Sequence, residues 1–419
     1  MINRNNKKGF TIVELVIVIA VIAILAAVLI PTFAGVIKKA NLSADEQAVR
    51  QMNTALAMYE AENGEIKDLI TAKKALDEAL VNVEGGLVPV TQGYAFYWDS
   101  TKNEVVLVGD AKDVKEGWEL LSNNGLGTKV EMSNSDTVGD DIVKAIRDSS
   151  DASPVVITLK EDVTSSVRIT AVAGDAAVID LNGKTLTIKD SNNYGPVWVG
   201  NGGSLEIKNG TLVLPNSTSN GIYNRDSFVS LKNVVIESAA EATIFVEGFS
   251  DTSIVDCEIN SAYAGIGTIS TDPDADGARV TIENSKISAE VKPFFCSINA
   301  NFVANNSTFE ATGNTGAAVM LKDGKHEFNN CKFVAPENVS AIYFVDGAAG
   351  SYSGEVSAKL NGCEYYNGAT KVAEVAIGHG NLGAKATVTI DNKYTVKGDV
   401  DGSTGSLTIN GTAIDLKVE

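Results

Sequence analysis

Few side chains in this sequence have the types and spacing that chemistry requires, and the sharpest set is acidic. In DPDADGARVTIE, Asp272, Asp274 and Asp276 alternate ahead of Gly277, and Glu283 follows after five intervening residues. Alternating carboxylates supply hard oxygen ligands, the glycine allows a sharp turn, and a distal glutamate completes a pattern suited to Ca²⁺. Asp272, Asp274, Asp276 and Glu283 are therefore candidate calcium ligands, with loop ordering as their role; a solvated acidic turn is the competing reading. No other cofactor is expected. Tyr223, Asn224, Arg225 and Asp226 form the best acid-base cluster, but adjacent residues on a strand face opposite ways. No catalytic residue is assigned, and the chain is not expected to be an enzyme. His326 and His379 are the only histidines, and Cys257, Cys296, Cys331 and Cys363 form no CxxC pair, which leaves little for zinc, redox or Ser-His-Asp chemistry. The thiols are expected to be small buried side chains, with a Cys331–Cys363 disulfide as the alternative.

The other chemically loaded position is Glu14. It interrupts an otherwise apolar run, FTIVELVIVIAVIAILAAVLI, from Phe10 to Ile30, long enough as a helix to cross a bilayer core of roughly 30 Å. Arg4, Lys7 and Lys8 precede it, so the amino terminus should stay cytoplasmic and the bulk of the chain should lie on the extracytoplasmic side. A secretory signal carries its small-residue cleavage site after the apolar stretch, whereas Gly9 stands before it. A carboxylate at this depth costs about 2 to 3 kcal/mol on insertion scales, so Glu14 needs a partner, and a terminal ammonium is the obvious one.

The segment KKGFTIVELVIVIAVIAILAAVLIPTF resembles the type IV prepilin N-terminal methylation motif, with Gly9, Phe10, Glu14 and Pro31 at its landmarks. The resemblance implies cleavage between Gly9 and Phe10 by a prepilin peptidase, N-methylation of Phe10, and assembly with other pilin subunits into a surface filament. It also implies that Glu14 pairs with the amino terminus of a neighbouring subunit. Pro31 would remove one helical hydrogen bond and kink the rod near the membrane surface. An ordinary single-span anchor has no need of this spacing.

The elements that position these residues fall into four segments: a leader (1–9), a pilin-type helix (10–62, transmembrane at 10–30), a small α+β head (63–125) and a larger β domain (134–419). Val49, Met52, Leu56 and Tyr59 form an apolar helical stripe, Ser43 and Glu46 have capping-box spacing should the helix restart, and Asn63-Gly64 ends it. A second helix is expected over 71–81. GYAFYW and EVVLV, separated by turn formers, read as a hairpin. DTVGDDIVKAIRDSS reads as an amphipathic cap whose Ile142, Ala145 and Ile146 cover an open apolar end.

Beyond the cap the chain repeats. LNGKTLTI, IKNGTLVL, LKNVVIES, VDCEINS, IENSKISA, ANNSTFEAT, FNNCKFVA and LNGCEYYN align on Asn182, Asn209, Asn233, Asp256, Asn284, Asn306, Asn330 and Asn361, at intervals of 22 to 31 residues. Short alternating strands broken by a polar turn cannot bury an apolar side alone but can do so by stacking, with the asparagines bonding along the stack. The pattern predicts a parallel β-helix and resembles the right-handed, pectate-lyase-like superfamily, which includes polysaccharide lyases and hydrolases. The acidic set has the spacing of an EF-hand calcium loop but departs from it at Pro273 and Arg279 and in having strands as flanks.

With 53 acidic against 34 basic residues, the net charge of −19 disfavours nucleic acid as a partner. The fold class is mainly β: an N-terminal transmembrane helix with a small α+β head, then the solenoid. The function expected is a non-catalytic, minor or tip subunit of a type IV pilus-like filament that displays the β-helix to bind glycan or protein at the cell surface. Tyr194, Trp198, Tyr223 and Tyr343 are candidate contacts. A displayed polysaccharide lyase or hydrolase and a secretion pseudopilin are the alternatives.

Overall fold

In the computed structural model, residues 12–67, 69–79, 89–91, 93–115, 118–124, 126–150, 154–192, 194–269, 278–296, 300–314, 316–337, 339–344, 355–380, 385–398 and 406–414 are described. Gly9, Phe10, Asp272, Asp274 and Asp276 lie outside them, as do the side chains of residues 12–35, Glu14 and Pro31 included. Among the described residues no helix is long and apolar enough to cross a membrane, and the span expected at 10–30 falls on those undescribed side chains. The chain divides into two compact units, residues 1–126 and 127–419.

In the first unit a single helix, α1 (Ile12–Asn63), passes positions 31 and 43–46 without restarting, so Ser43 and Glu46 do not form a cap. Gly64 stops it by taking φ 93°, and its N–H bonds to the Glu60 carbonyl at 3.0 Å. A second helix, α2 (Leu69–Ala79), follows. Strands β1 (Tyr94–Asp99) and β2 (Glu104–Val108) pair antiparallel, and β3 (Trp118–Asn124) adds on the other side of β1. Met52, Ala55 and Leu56 of α1, Leu76 of α2 and Phe96, Tyr97 and Trp98 of β1 are buried. Asn53 fixes the helix on the sheet: its amide donates to the Val105 carbonyl at 3.1 Å and accepts the Val105 N–H.

The second unit is a parallel β-helix. One coil illustrates all: strand 176–180 on a first sheet, a turn at Asn182, strand 185–188 on a second, then strand 197–200 on a third. Among the described residues the third sheet contains ten strands, one per coil. Two long strands, Ser204–Leu214 and Phe228–Ser238, run through the turn and join the first two sheets. Inward rows are aliphatic at the N-terminal coils, as in Ile157, Ile179, Ile207, Leu231, Ile254 and Ile282, and become aromatic near Phe302, Phe309, Phe328, Phe333 and Tyr365.

The turn between the first and second sheets needs one left-handed residue per coil, which asparagine and aspartate tolerate because their short polar side chains bond locally. Asn182, Asn209, Asn233, Asp256, Asn284, Asn306 and Asn330 all take φ between 48° and 59°. The next coil departs from the sequence expectation. Asn361 pairs with Asn329, not Asn330, and Gly362 takes the left-handed place at φ 63°. The amide ladder there runs one position earlier, from Asn361 to Asn329 (2.8 Å) and from Asn329 to Asn305 (3.0 Å). Asn306→Val should destabilise the β-helix by about 1 to 2 kcal/mol in urea unfolding, whereas Asn306→Gly should fall within a few tenths of wild type. Equal losses would show that the side chain and not the backbone angle matters.

Helix α3 (Val138–Arg147) buries Val138, Ile142, Val143 and Ile146 against the first coil and closes that end of the core. At the other end strand 406–409 returns as an antiparallel hairpin through Asn410-Gly411. Asn410 clamps Ile390 through both backbone groups, at 2.8 and 2.9 Å.

Candidate binding face

Parallel stacking turns one residue per coil into a row along the solenoid axis. On the third sheet the register aligns Trp198, Tyr223, Phe245, Gly267, Phe295, Met320, Tyr343 and Gly378. The residues before and after them, such as Val197 and Val199 or Phe294 and Cys296, are wholly buried in the core, so this row faces outward. From Trp198 to Tyr343 it runs roughly 30 Å at about 4.8 Å per coil.

The rings are held by each other and by ions. Tyr194, 60% exposed, stacks on Tyr223 with centroids 6.0 Å apart, and Tyr223 meets Phe245 at 5.5 Å. The Tyr223 hydroxyl donates to the Glu247 carboxylate; desolvation and then that acceptor raise the phenol's pKa, so it keeps its proton. Lys292 Nζ lies 4.2 Å from the Phe295 ring centre and 5.3 Å from that of Tyr263, and burial lowers its pKa. The Arg168 guanidinium lies 5.9 Å from the Trp198 ring, with Nε 3.7 Å from Asp190. Arg225 Nε is 3.7 Å from Asp226.

Of the four aromatics picked out in the sequence, Trp198, Tyr223 and Tyr343 share this row and Tyr194 covers one of its rings. Phe245, Phe295 and Met320 were missed because these strands are apolar at nearly every position, which hides the period of two. The acid-base cluster at 223–226 is divided by the sheet. Tyr223 is on the outer face but buried beneath Tyr194, while Asn224 is fully buried on the inner side and bonds Ser227 Oγ (2.6 Å) and Thr252 Oγ1 (2.9 Å). Asp226 is a turn residue whose carboxylate accepts the Phe249 N–H at 3.0 Å. Among the described residues no cluster of three or more His, Cys, Asp or Glu is placed to hold a metal. Glu283 ends strand Arg279–Glu283, in register with Val255 and Asn305.

The remaining reactive groups belong to the core. His379 is buried and bonds the Gly380 carbonyl at 3.1 Å. All four cysteines are buried and reduced. Cys257, Ser285, Ser307, Cys331 and Cys363 follow the left-handed turn residue and form one inward row. Cys331 and Cys363 are adjacent on it, since the Glu364 N–H bonds the Cys331 carbonyl at 2.8 Å. Stacking by one coil keeps their Cβ atoms about 4.8 Å apart, wider than the ~3.8 Å mean of disulfides.

Residues 4–30 match the family model described as the prokaryotic N-terminal methylation motif. The chain is 49% identical over 61 residues to the type IV wide pilus major component PilA4 of Thermus thermophilus, which covers 14% of this chain and 44% of that protein. It is 40% identical over 65 residues to the type IV major fimbrial protein FimA of Dichelobacter nodosus, covering 16% of this chain and 42% of that protein. The chain thus spans less than half the length of these curated relatives. No solved structure matches it. This chain is therefore a parallel β-helix of about ten turns that carries the prokaryotic N-terminal methylation motif and shares sequence with type IV pilins.

Proposed function

We propose that the chain is a filament subunit of the type IV pilin kind that delivers a β-helix to the cell surface as a non-catalytic binding domain. The observation that carries this reading is the joining of a methylation motif at residues 4–30 to a solenoid with an outward aromatic row. A prepilin peptidase cleaves between Gly9 and Phe10 and methylates Phe10. The apolar helix of residues 10–30 anchors the chain before assembly, and Glu14 pairs with a neighbouring subunit's amino terminus. Glu14 is the only acid between Phe10 and Ile30, so that pairing removes the one costly charge from the apolar helix. A domain of this size is more easily placed at a tip or as a minor subunit than in every repeat of a filament.

Mass spectrometry of the chain from sheared surface filaments tests this. The expected mature chain begins at N-methylated Phe10 and is present in small amounts relative to a main subunit. A surface-exposed chain that retains residues 1–9 would overturn the processing, and filaments built mainly of this chain would overturn the minor role.

A further inference from the structure

The outward row of the third sheet has a second property: three of its rings lie against glycines. A Cβ built on Gly200 would fall 3.0 to 3.3 Å from Cζ2, Cε2 and Nε1 of Trp198, so the indole covers that backbone. Gly267 is covered by Phe245 in the same way, at 3.2 and 3.6 Å from Cδ2 and Cε2. Tyr343 spans two glycines of the next coil, with its ring over Gly378 and its hydroxyl 3.1 Å from a Cβ placed on Gly380. Trp198, Phe245 and Tyr343 are each held against backbone in this way and each remains partly exposed.

We propose that this row binds a neutral polysaccharide chain lying along the solenoid axis, with sugar rings seated on Trp198, on Phe245 two coils further and on Tyr343 four coils beyond that. This deepens the reading of the β-helix as a displayed binding domain and rests on it. Three features favour that ligand. The apolar strip is one side chain wide and roughly 30 Å long, which suits an extended chain and is too narrow for a protein patch of about 800 Å². A pyranose offers an apolar C–H face to a ring and hydroxyls at its rim, within reach of Arg225 and Glu247, the next outward pair along the strands. A peptide would lay unsatisfied amides on the same rings. Finally, two of the three cations at the row, Arg168 and Arg225, are already opposed by Asp190 and Asp226, the third, Lys292, is held on the Phe295 ring, and the chain carries a net charge of −19, which disfavours an acidic glycan.

The test uses the full chain in detergent micelles and calorimetric titration with hexasaccharides of β-1,4-linked glucose, β-1,4-linked N-acetylglucosamine and galacturonate. Saturable binding to a neutral hexasaccharide is expected. It should weaken about tenfold or more in Trp198→Ala and in Tyr343→Ala and stay unchanged in Glu258→Ala, which alters an exposed residue on the second sheet. Far-ultraviolet circular dichroism identical to wild type confirms that the variants are folded. Binding of galacturonate alone, binding of neither neutral hexasaccharide, or neutral binding that survives both ring truncations would each overturn the proposal. These outcomes are independent of the mass spectrometry, in which failure would overturn the processing or the minor role and leave the sugar binding standing.

Discussion

Lowering the pH from 7.5 to 4.5 should cost the β-helix about 2 to 3 kcal/mol of stability, and His326→Leu should remove most of that dependence. His326 is 2% exposed and sits in an inward row between Phe302 and Ala358, with ring centroids 6.1 Å from Phe294 and 6.4 Å from Phe302. Its Nε2 lies 2.7 Å from the Asp323 carbonyl oxygen. Burial among apolar rings pushes its pKa down to about 4, and the carbonyl only partly offsets this. The unfolded chain takes up the proton near pH 6.5 and the folded one does not. The contribution is therefore complete above pH 6.5 and is lost as the pH falls toward about 4. Leucine fills the site without a titrating group, and Cys296 Sγ still donates to the Asp323 carbonyl at 3.2 Å. Urea unfolding of both proteins at the two pH values decides the matter; parallel slopes would assign the acid sensitivity to carboxylates.

Phe328→Ala should be worse still, by about 3 to 5 kcal/mol at any pH. The ring has no exposed surface and meets Phe302 at 5.2 Å, Phe333 at 5.3 Å and Phe309 at 5.7 Å. Its removal leaves a cavity that neighbours on parallel coils cannot fill without breaking ladder bonds. The same change made together with Phe309→Ala should give less than the sum of the two, because the rings share contacts. Made together with Ile179→Ala, six coils away along the same inward row, the losses should add to within about 0.5 kcal/mol. Strict additivity for the touching pair would mean that the aromatic core is not packed as described.

The coil pattern was legible because the turn between the first two sheets demands a left-handed residue, and asparagine recurs wherever it is needed. At Asn361-Gly362 two residues capable of that conformation stand side by side, and only stacking against Asn329 shows which one adopts it. The outward row was only half legible. In strands such as IFV and FFC every position is apolar, so alternation cannot assign a face, and coils of 22 to 35 residues scramble the spacing between equivalent positions. Glycines 200, 267 and 378 carry no sign in the sequence of the aromatic rings that lie against them. Asn53 gave no sign of its role either, since an exposed-looking helix amide reveals nothing about a strand fifty residues later.

The plug formed by Val138, Ile142 and Ile146 has a mechanical meaning. In the proposed role, a solenoid held by its amino terminus and pulled through a bound ligand would carry the load first through α3 and the coil beneath it, because each coil is bonded only to its neighbours. Once that plug is drawn, coils should peel away one at a time. A coil of 22 residues, such as the one from Ile222 to Ile244, would pay out roughly 75 Å of chain. Under tension the domain would lengthen in steps and keep the remaining turns folded, a shock absorber in series with its tether.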